Sequence, residues 1–117
     1  MKFVFVATAA ALLTFTTAGH ASAQDAIAKG QKVYADQKCS VCHSIGGKGN
    51  TKGPLDDVGT KLSADDIRQW IVDPAGMTAK SKSTRKPPMT SVAAKMKALS
   101  IEDVDALVAY LSSLKGK

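Results

Sequence analysis

The chain has 117 residues, with 16 Lys and Arg against 10 Asp and Glu, a formal charge of +6, and aromatic residues at only 5%. That length allows one small domain, and few aromatics with no recognised nucleic-acid motif argue against nucleic-acid binding despite the basic balance. No Ser/His/Asp arrangement and no phosphate-cradling glycine motif is present, so those enzyme classes fall away.

The first stretch reads as a leader. Lys2 gives a short positive region, Phe3 to Phe15 is apolar apart from small residues and Thr, and Ala21-Ser22-Ala23 has the small-x-small form of a cleavage site. The apolar run falls short of the about 20 residues a bilayer-spanning helix needs. Residues 1–23 are therefore expected to be a cleaved signal peptide, and residues 24–117 a single mature domain exported to a bacterial periplasm. No other hydrophobic run suggests membrane insertion. So short a domain buries little core and generally needs a staple.

Asp25 to about Gln37 is predicted as the first helix, with Asp25 as N-cap. Ile27, Gly30, Val33 and Tyr34 share one face. Gly30 inside a helix is unfavourable by about 1 kcal/mol relative to Ala. Its presence suggests a close approach of another backbone.

Cys39-Ser40-Val41-Cys42-His43 follows. Two thiols three positions apart with an adjacent imidazole form the attachment site of a c-type haem. Each thiol can make a thioether to one vinyl group, and the imidazole can take one face of the iron. A thioredoxin-like redox pair would need a βαβ context that is absent here. A zinc site wants four N or S ligands. The chain has two Cys and two His in all, and His20 lies in the leader. A plain disulfide is the remaining alternative.

Residues 44–61 are predicted as loop, because Gly46, Gly47, Gly49, Gly53 and Pro54 interrupt regular structure. A ligating His43 needs its second ring nitrogen held by an acceptor. The carbonyl of Pro54 is the candidate. Ser63 to Val72 is predicted as a helix, with Ser63 and Asp66 resembling a capping box and Ile67, Trp70 and Ile71 facing inward. Asp73-Pro74 is taken to end it. Trp70, the single tryptophan, is expected to pack in the core, and its indole N–H could donate to a haem propionate.

Residues 73–91 read as irregular and carry a basic run of Lys80, Lys82, Arg85 and Lys86. This is either a solvated loop or a docking patch for an acidic redox partner. Ser91 to Ala98 has helical composition and is expected to hold a short turn. Ser100 to about Lys115 is the clearest helix. Ser100 is its N-cap, and Ile101, Val104, Leu107, Val108, Leu111 and Leu114 form one stripe.

The iron's second axial position decides the function. No second histidine survives in the mature chain, so Met77, Met89 and Met96 are the available donors. Met89 is preferred, because Pro87 and Pro88 stiffen the chain before it. Met96 and Met77 are read as packing residues or looser alternatives. Thioether opposite imidazole favours ferrous iron and suits one-electron transfer.

These residues together resemble a class I cytochrome c over residues 25–115. The haem motif follows a first helix. Gly30 and Tyr34 look like the family's Gly-x-x-x-aromatic, and Tyr110 looks like the aromatic of its last helix. Gly53-Pro54-Leu55 resembles the turn that holds the proximal histidine, and Lys86-Pro87-Pro88-Met89 resembles the Pro-Met strap. The interval from Met89 to Tyr110 is longer than the family's spacing, and that from Met96 is shorter. The resemblance implies an all-α fold of three to four helices wrapped around one covalently attached haem, with the first and last helices crossing at Gly30. It implies a non-enzymatic electron carrier with haem c on Cys39 and Cys42, iron on His43 and Met89, and Pro54 in the turn beside the proximal histidine; Trp70 joins the cofactor-binding candidates on its indole N–H alone. Such a protein is expected to act as a monomer with acidic redox partners. The alternative is a five-coordinate haem protein that binds a small gas or reacts with peroxide.

Overall fold

The computed structural model describes residues 21–116. The proposed leader lies outside them, apart from its last residues. The first helix, α1, runs Ala21–Asp36. Asp25 is thus inside it and not its cap, because Ala21 to Gln24 contain no breaker. Lys38, in the left-handed region at φ 55°, ends the helix and starts a 3-10 turn over Cys39–Val41.

The segment predicted as loop is more structured than expected. Strands β1 (Ser44–Ile45) and β2 (Lys48–Gly49) pair antiparallel, with Ser44 opposite Gly49 and Ile45 opposite Lys48. Gly46 and Gly47 both have positive φ, as a two-residue hairpin turn of this hand demands. A single helical turn, α2 (Val58–Lys61), follows.

Helix α3 (Ala64–Val72) begins where Ser63 Oγ accepts from Asp66 N at 3.1 Å. Asp73-Pro74 ends α3 and also starts α4 (Pro74–Ser81), a helix within the stretch predicted as irregular. Asp73 Oδ1 accepts from Gly76 N at 3.0 Å, and Pro74 occupies the first helical turn, where its missing N–H is no loss. Met89–Val92 forms a 3-10 turn that leads into the short α5 (Ala93–Lys97). The last helix, α6 (Ile101–Ser112), starts where Ser100 Oγ accepts from Asp103 N at 3.1 Å.

Helices α1, α3 and α6 carry the core, with α1 and α6 in the most extensive contact. They cross at Gly30, where a Cβ would lie 2.1 Å from the Ala106 carbonyl oxygen and 2.5 Å from Tyr110 Cβ. One turn on, Tyr34 and Tyr110 meet edge to face, with ring centroids 6.0 Å apart and planes at 79°. The buried cluster joins Val33 of α1, Ile67 and Ile71 of α3, Met96 of α5, and Val104, Leu107, Val108 and Leu111 of α6. Ile101, expected in the apolar stripe, is 75% exposed. It sits in the first turn of α6, and buried Ala106 is the residue that faces Gly30.

The segment after α6 is clasped by α2 and the loop before it. Gly59 N donates to Leu114 O, and Gly116 N to Asp56 O, both at 2.8 Å. No helix of the described residues is long and apolar enough to cross a membrane.

Candidate functional site

The Cys-x-x-Cys-His stretch is wound tight by its own backbone. Cys42 N and His43 N both donate to Cys39 O, at 3.2 and 2.9 Å. Asn50 then pins it from the hairpin. Its backbone N–H donates to the carbonyls of Ser40 and His43, both at 3.0 Å, and its Nδ2 donates to Val41 O at 3.2 Å. Sequence reasoning passed over Asn50, whose place after Gly49 is the only local signal of a turn that folds back.

His43 Nδ1 lies 3.1 Å from Gly53 O. A carbonyl can only accept, so Nδ1 carries the proton and the Nε2 lone pair is left for a ligand. Burial holds the His43 imidazolium below its usual range, against the pull of the Gly53 carbonyl; the Arg85 charge adds to the lowering. The ring is therefore neutral at physiological pH, as a metal ligand must be.

The acceptor is Gly53 and not the predicted Pro54. Ser44 and Pro54 form a parallel bridge, in which Ser44 N donates to Gly53 O at 3.0 Å and Leu55 N donates to Ser44 O at 2.8 Å. Successive carbonyls of an extended segment point opposite ways. The one before the proline therefore faces His43, and exposed Pro54 contributes rigidity alone.

Two lobes of one cavity meet along Cys39, His43, Arg85, Met89 and Met96. The inner lobe, partly open to solvent, has a volume of about 270 Å³ and is walled by apolar side chains such as Leu55, Ile67, Ile71, Leu107 and Leu111. Half-buried Trp70 is on the same wall. The outer lobe runs past Cys42, Val41, Pro87 and Pro88. Val41 there is 67% exposed, so this lobe is the open edge.

The methionines separate. Met96 is 4% exposed, inside the core cluster, yet reaches both lobes. Met89 is half-buried, follows the extended Pro88 (φ −71°, ψ 153°), and also borders both lobes. Met77 is on the buried face of α4 and lines neither.

Neither cysteine is in a disulfide. Burial pushes the Cys39 thiol up, with Lys95 partly opposing. A thiol-disulfide catalyst works with a lowered thiol, so this environment disfavours that chemistry. Among the described residues, no three or more His, Cys, Asp and Glu side chains converge as a metal cluster, which leaves zinc without a ligand set.

The family model for cytochrome c matches residues 27–115. The chain belongs to the cytochrome c family. A cytochrome c domain binds haem c covalently and carries out haem-based electron transfer, and the all-α architecture agrees with it. Its cavity fits that cofactor: a large apolar slot has a thiol and a neutral imidazole on its rim. Tyr34, whose hydroxyl is buried without a hydrogen-bond partner among the described residues, lines the same lobe.

A curated relative, cytochrome c oxidase subunit 2 of Alkalihalophilus pseudofirmus (strain ATCC BAA-2126 / JCM 17055 / OF4), is 29% identical over 96 residues, covering 74% of this chain and 25% of that protein. The cytochrome c domain thus spans about a quarter of that relative's length. No solved structure matches.

Proposed function

We propose that this cytochrome c is a periplasmic one-electron shuttle with His43 and Met89 as its axial ligands and Cys39 and Cys42 as its thioether attachments. The observation that carries the reading is the shared cavity. A neutral imidazole with its Nε2 lone pair free and a thioether on a proline-stiffened strap border the same slot. Haem supplies the reversible one-electron couple when bound. The chain's residues hold it. Gly53 fixes the imidazole's orientation, and the apolar wall excludes water. Met89 brings sulfur with little ordering entropy left to lose. Trp70, on that wall, would donate its indole N–H to a propionate of the bound haem.

The visible spectrum tests this. The oxidised holoprotein is expected to be low-spin, with the weak red methionine-to-iron band, and unmoved by carbon monoxide once reduced. Met89→Ala removes the band, while Met96→Leu keeps it. A band that survives Met89→Ala transfers the ligand role to Met96. A high-spin spectrum that carbon monoxide changes at once replaces the carrier by the five-coordinate gas- or peroxide-reactive protein.

Export through residues 1–23 and a monomeric state belong to the same proposal. Intact-mass measurement of the secreted protein should give a chain beginning at Gln24. Docking is proposed at the open edge. Lys38 and Lys95 border the outer lobe there, and exposed Lys82 and Lys86 lie on the adjoining strap. Lys80 is 3.9 Å from Asp66 and so partly neutralised. With an acidic redox partner, Lys82→Gln with Lys86→Gln should slow reduction about tenfold at low salt and flatten its salt dependence. Unchanged rates would remove the patch.

A further inference from the structure

Arg85 was read in the sequence as one more surface cation, but the structure ties it to the haem motif. Its Nη2 donates to Cys42 O at 3.0 Å, across 43 residues of chain. The guanidinium lies in the space left by a missing side chain: a Cβ on Gly53 would be 2.1 Å from Nη2 and 2.8 Å from Cζ. Those two contacts meet at the proximal ligand. The Cys42 carbonyl belongs to the peptide that carries His43, and the Gly53 carbonyl orients the His43 ring. The other end of the side chain is rooted in the segment that leads through Pro87 and Pro88 to Met89. Arg85 also borders both lobes of the cavity.

We propose that Arg85 is a positioning residue, a latch that ties the base of the Met89 strap to the Cys42–His43 peptide and Gly53, so that the distal and proximal sides of the haem are held as one unit. This rests on Met89 being the distal ligand.

Physical chemistry favours arginine here. A planar guanidinium can lie flat over the Gly53 backbone while it donates to a carbonyl at its edge, a geometry an ammonium cannot copy. A charge-assisted hydrogen bond of this type exceeds an ordinary one. Releasing it frees the strap to swing away, since the segment before it has few other ties: Arg85 N reaches Ser83 Oγ only at 3.4 Å. A fixed cation beside the cavity also disfavours the ferric state relative to the ferrous one.

The test uses the mature holoprotein and two readouts. One is the affinity of the ferric form for added imidazole, which competes with Met89 and is read as loss of the red band. The other is the midpoint potential. Arg85→Gln should raise imidazole affinity about tenfold and lower the potential. Arg85→Lys, which keeps the charge without the fork, should hold the potential near wild type while still raising imidazole affinity. Lys82→Gln removes an exposed charge from the same strap and should change affinity less than about twofold, within the range of an ordinary surface substitution. Equal imidazole affinity for Arg85→Gln and Lys82→Gln overturns the latch. Should Arg85→Gln fail to mature, Arg85→Lys against wild type decides the same question. A red band absent from the wild-type spectrum, or surviving in Met89→Ala, is the separate failure of the Met89 reading. In that case a midpoint shift no larger for Arg85→Gln than for Lys82→Gln overturns the role of Arg85 as well.

Discussion

Tyr34 shows how much a single buried atom can report. Its hydroxyl has no hydrogen-bond partner among the described residues, and its titration is pushed up to about 12, mostly by burial, with Cys39 the next cause. An unfolded tyrosine titrates near 10. Between those values the folded chain holds a proton that the unfolded chain has lost, so stability falls as pH rises through that window and is complete below it. Tyr34→Phe should therefore flatten the loss of stability between pH 10 and 12, as read by denaturant midpoints at several pH values. An unchanged slope would mean that the phenol is not the group responsible. Residues of this scale were unevenly legible. The covalent haem was readable from Cys39-x-x-Cys42-His43, because the chemistry fixes both the residue types and their spacing, and the family match agrees with it. Ser63 and Ser100 were readable because a cap is a local contact. The Gly53 carbonyl was missed by one position because a main-chain oxygen has no residue type to betray it. Arg85 was misjudged because its partner lies 43 positions away.

At the scale of elements, α1, α3 and α6 were visible because each has enough turns for an apolar face to repeat. Helices α2, α4 and α5 run only Val58–Lys61, Pro74–Ser81 and Ala93–Lys97. A face that repeats once or twice cannot be told from chance. Asp73-Pro74 was taken as a stop because proline repels a helix before it; the same pair is also a favoured start. The two long helices meet where sequence indicated, at Gly30, and that contact can be put to the test. Its added Cβ would strike a carbonyl oxygen of α6 at 2.1 Å, an atom that cannot move without shifting the helix. Gly30→Ala should thus destabilise the domain by about 1–3 kcal/mol, the usual penalty of overpacking, despite the better helix propensity of alanine. The denaturant midpoint should fall with the m-value unchanged. A rise in midpoint would show that α1 and α6 do not approach as closely as described. The ion pairs on α6, Lys29–Asp103 to α1 at 3.1 Å and Arg68–Asp105 to α3 at 2.6 Å, are too exposed to compensate, at about 0–1 kcal/mol each.

For the whole molecule, the cavity is the centre of the core and not a pocket at its side. Ile67, Ile71, Leu107 and Leu111 belong to the buried cluster and also wall the inner lobe. Remove the group that fills it, and the same side chains must either face water or close over a void. At about 24 cal/mol per Å³ of unfilled cavity, keeping its about 270 Å³ dry would cost roughly 6 kcal/mol. That is comparable to the entire stability of a small domain, about 5–15 kcal/mol. Covalent attachment is therefore a folding device as much as a redox one: it holds the filler at the motif while the helices close around it. The double variant Cys39→Ser, Cys42→Ser should yield a chain without covalent haem, seen as loss of haem staining on a denaturing gel. Its far-UV helical signal should be well below that of the holoprotein, with no cooperative melting transition at neutral pH. A sharp transition with near-native helix content in that colourless chain would show that α1, α3 and α6 suffice alone. The small core would then be self-sustaining, and the haem a guest in a finished fold.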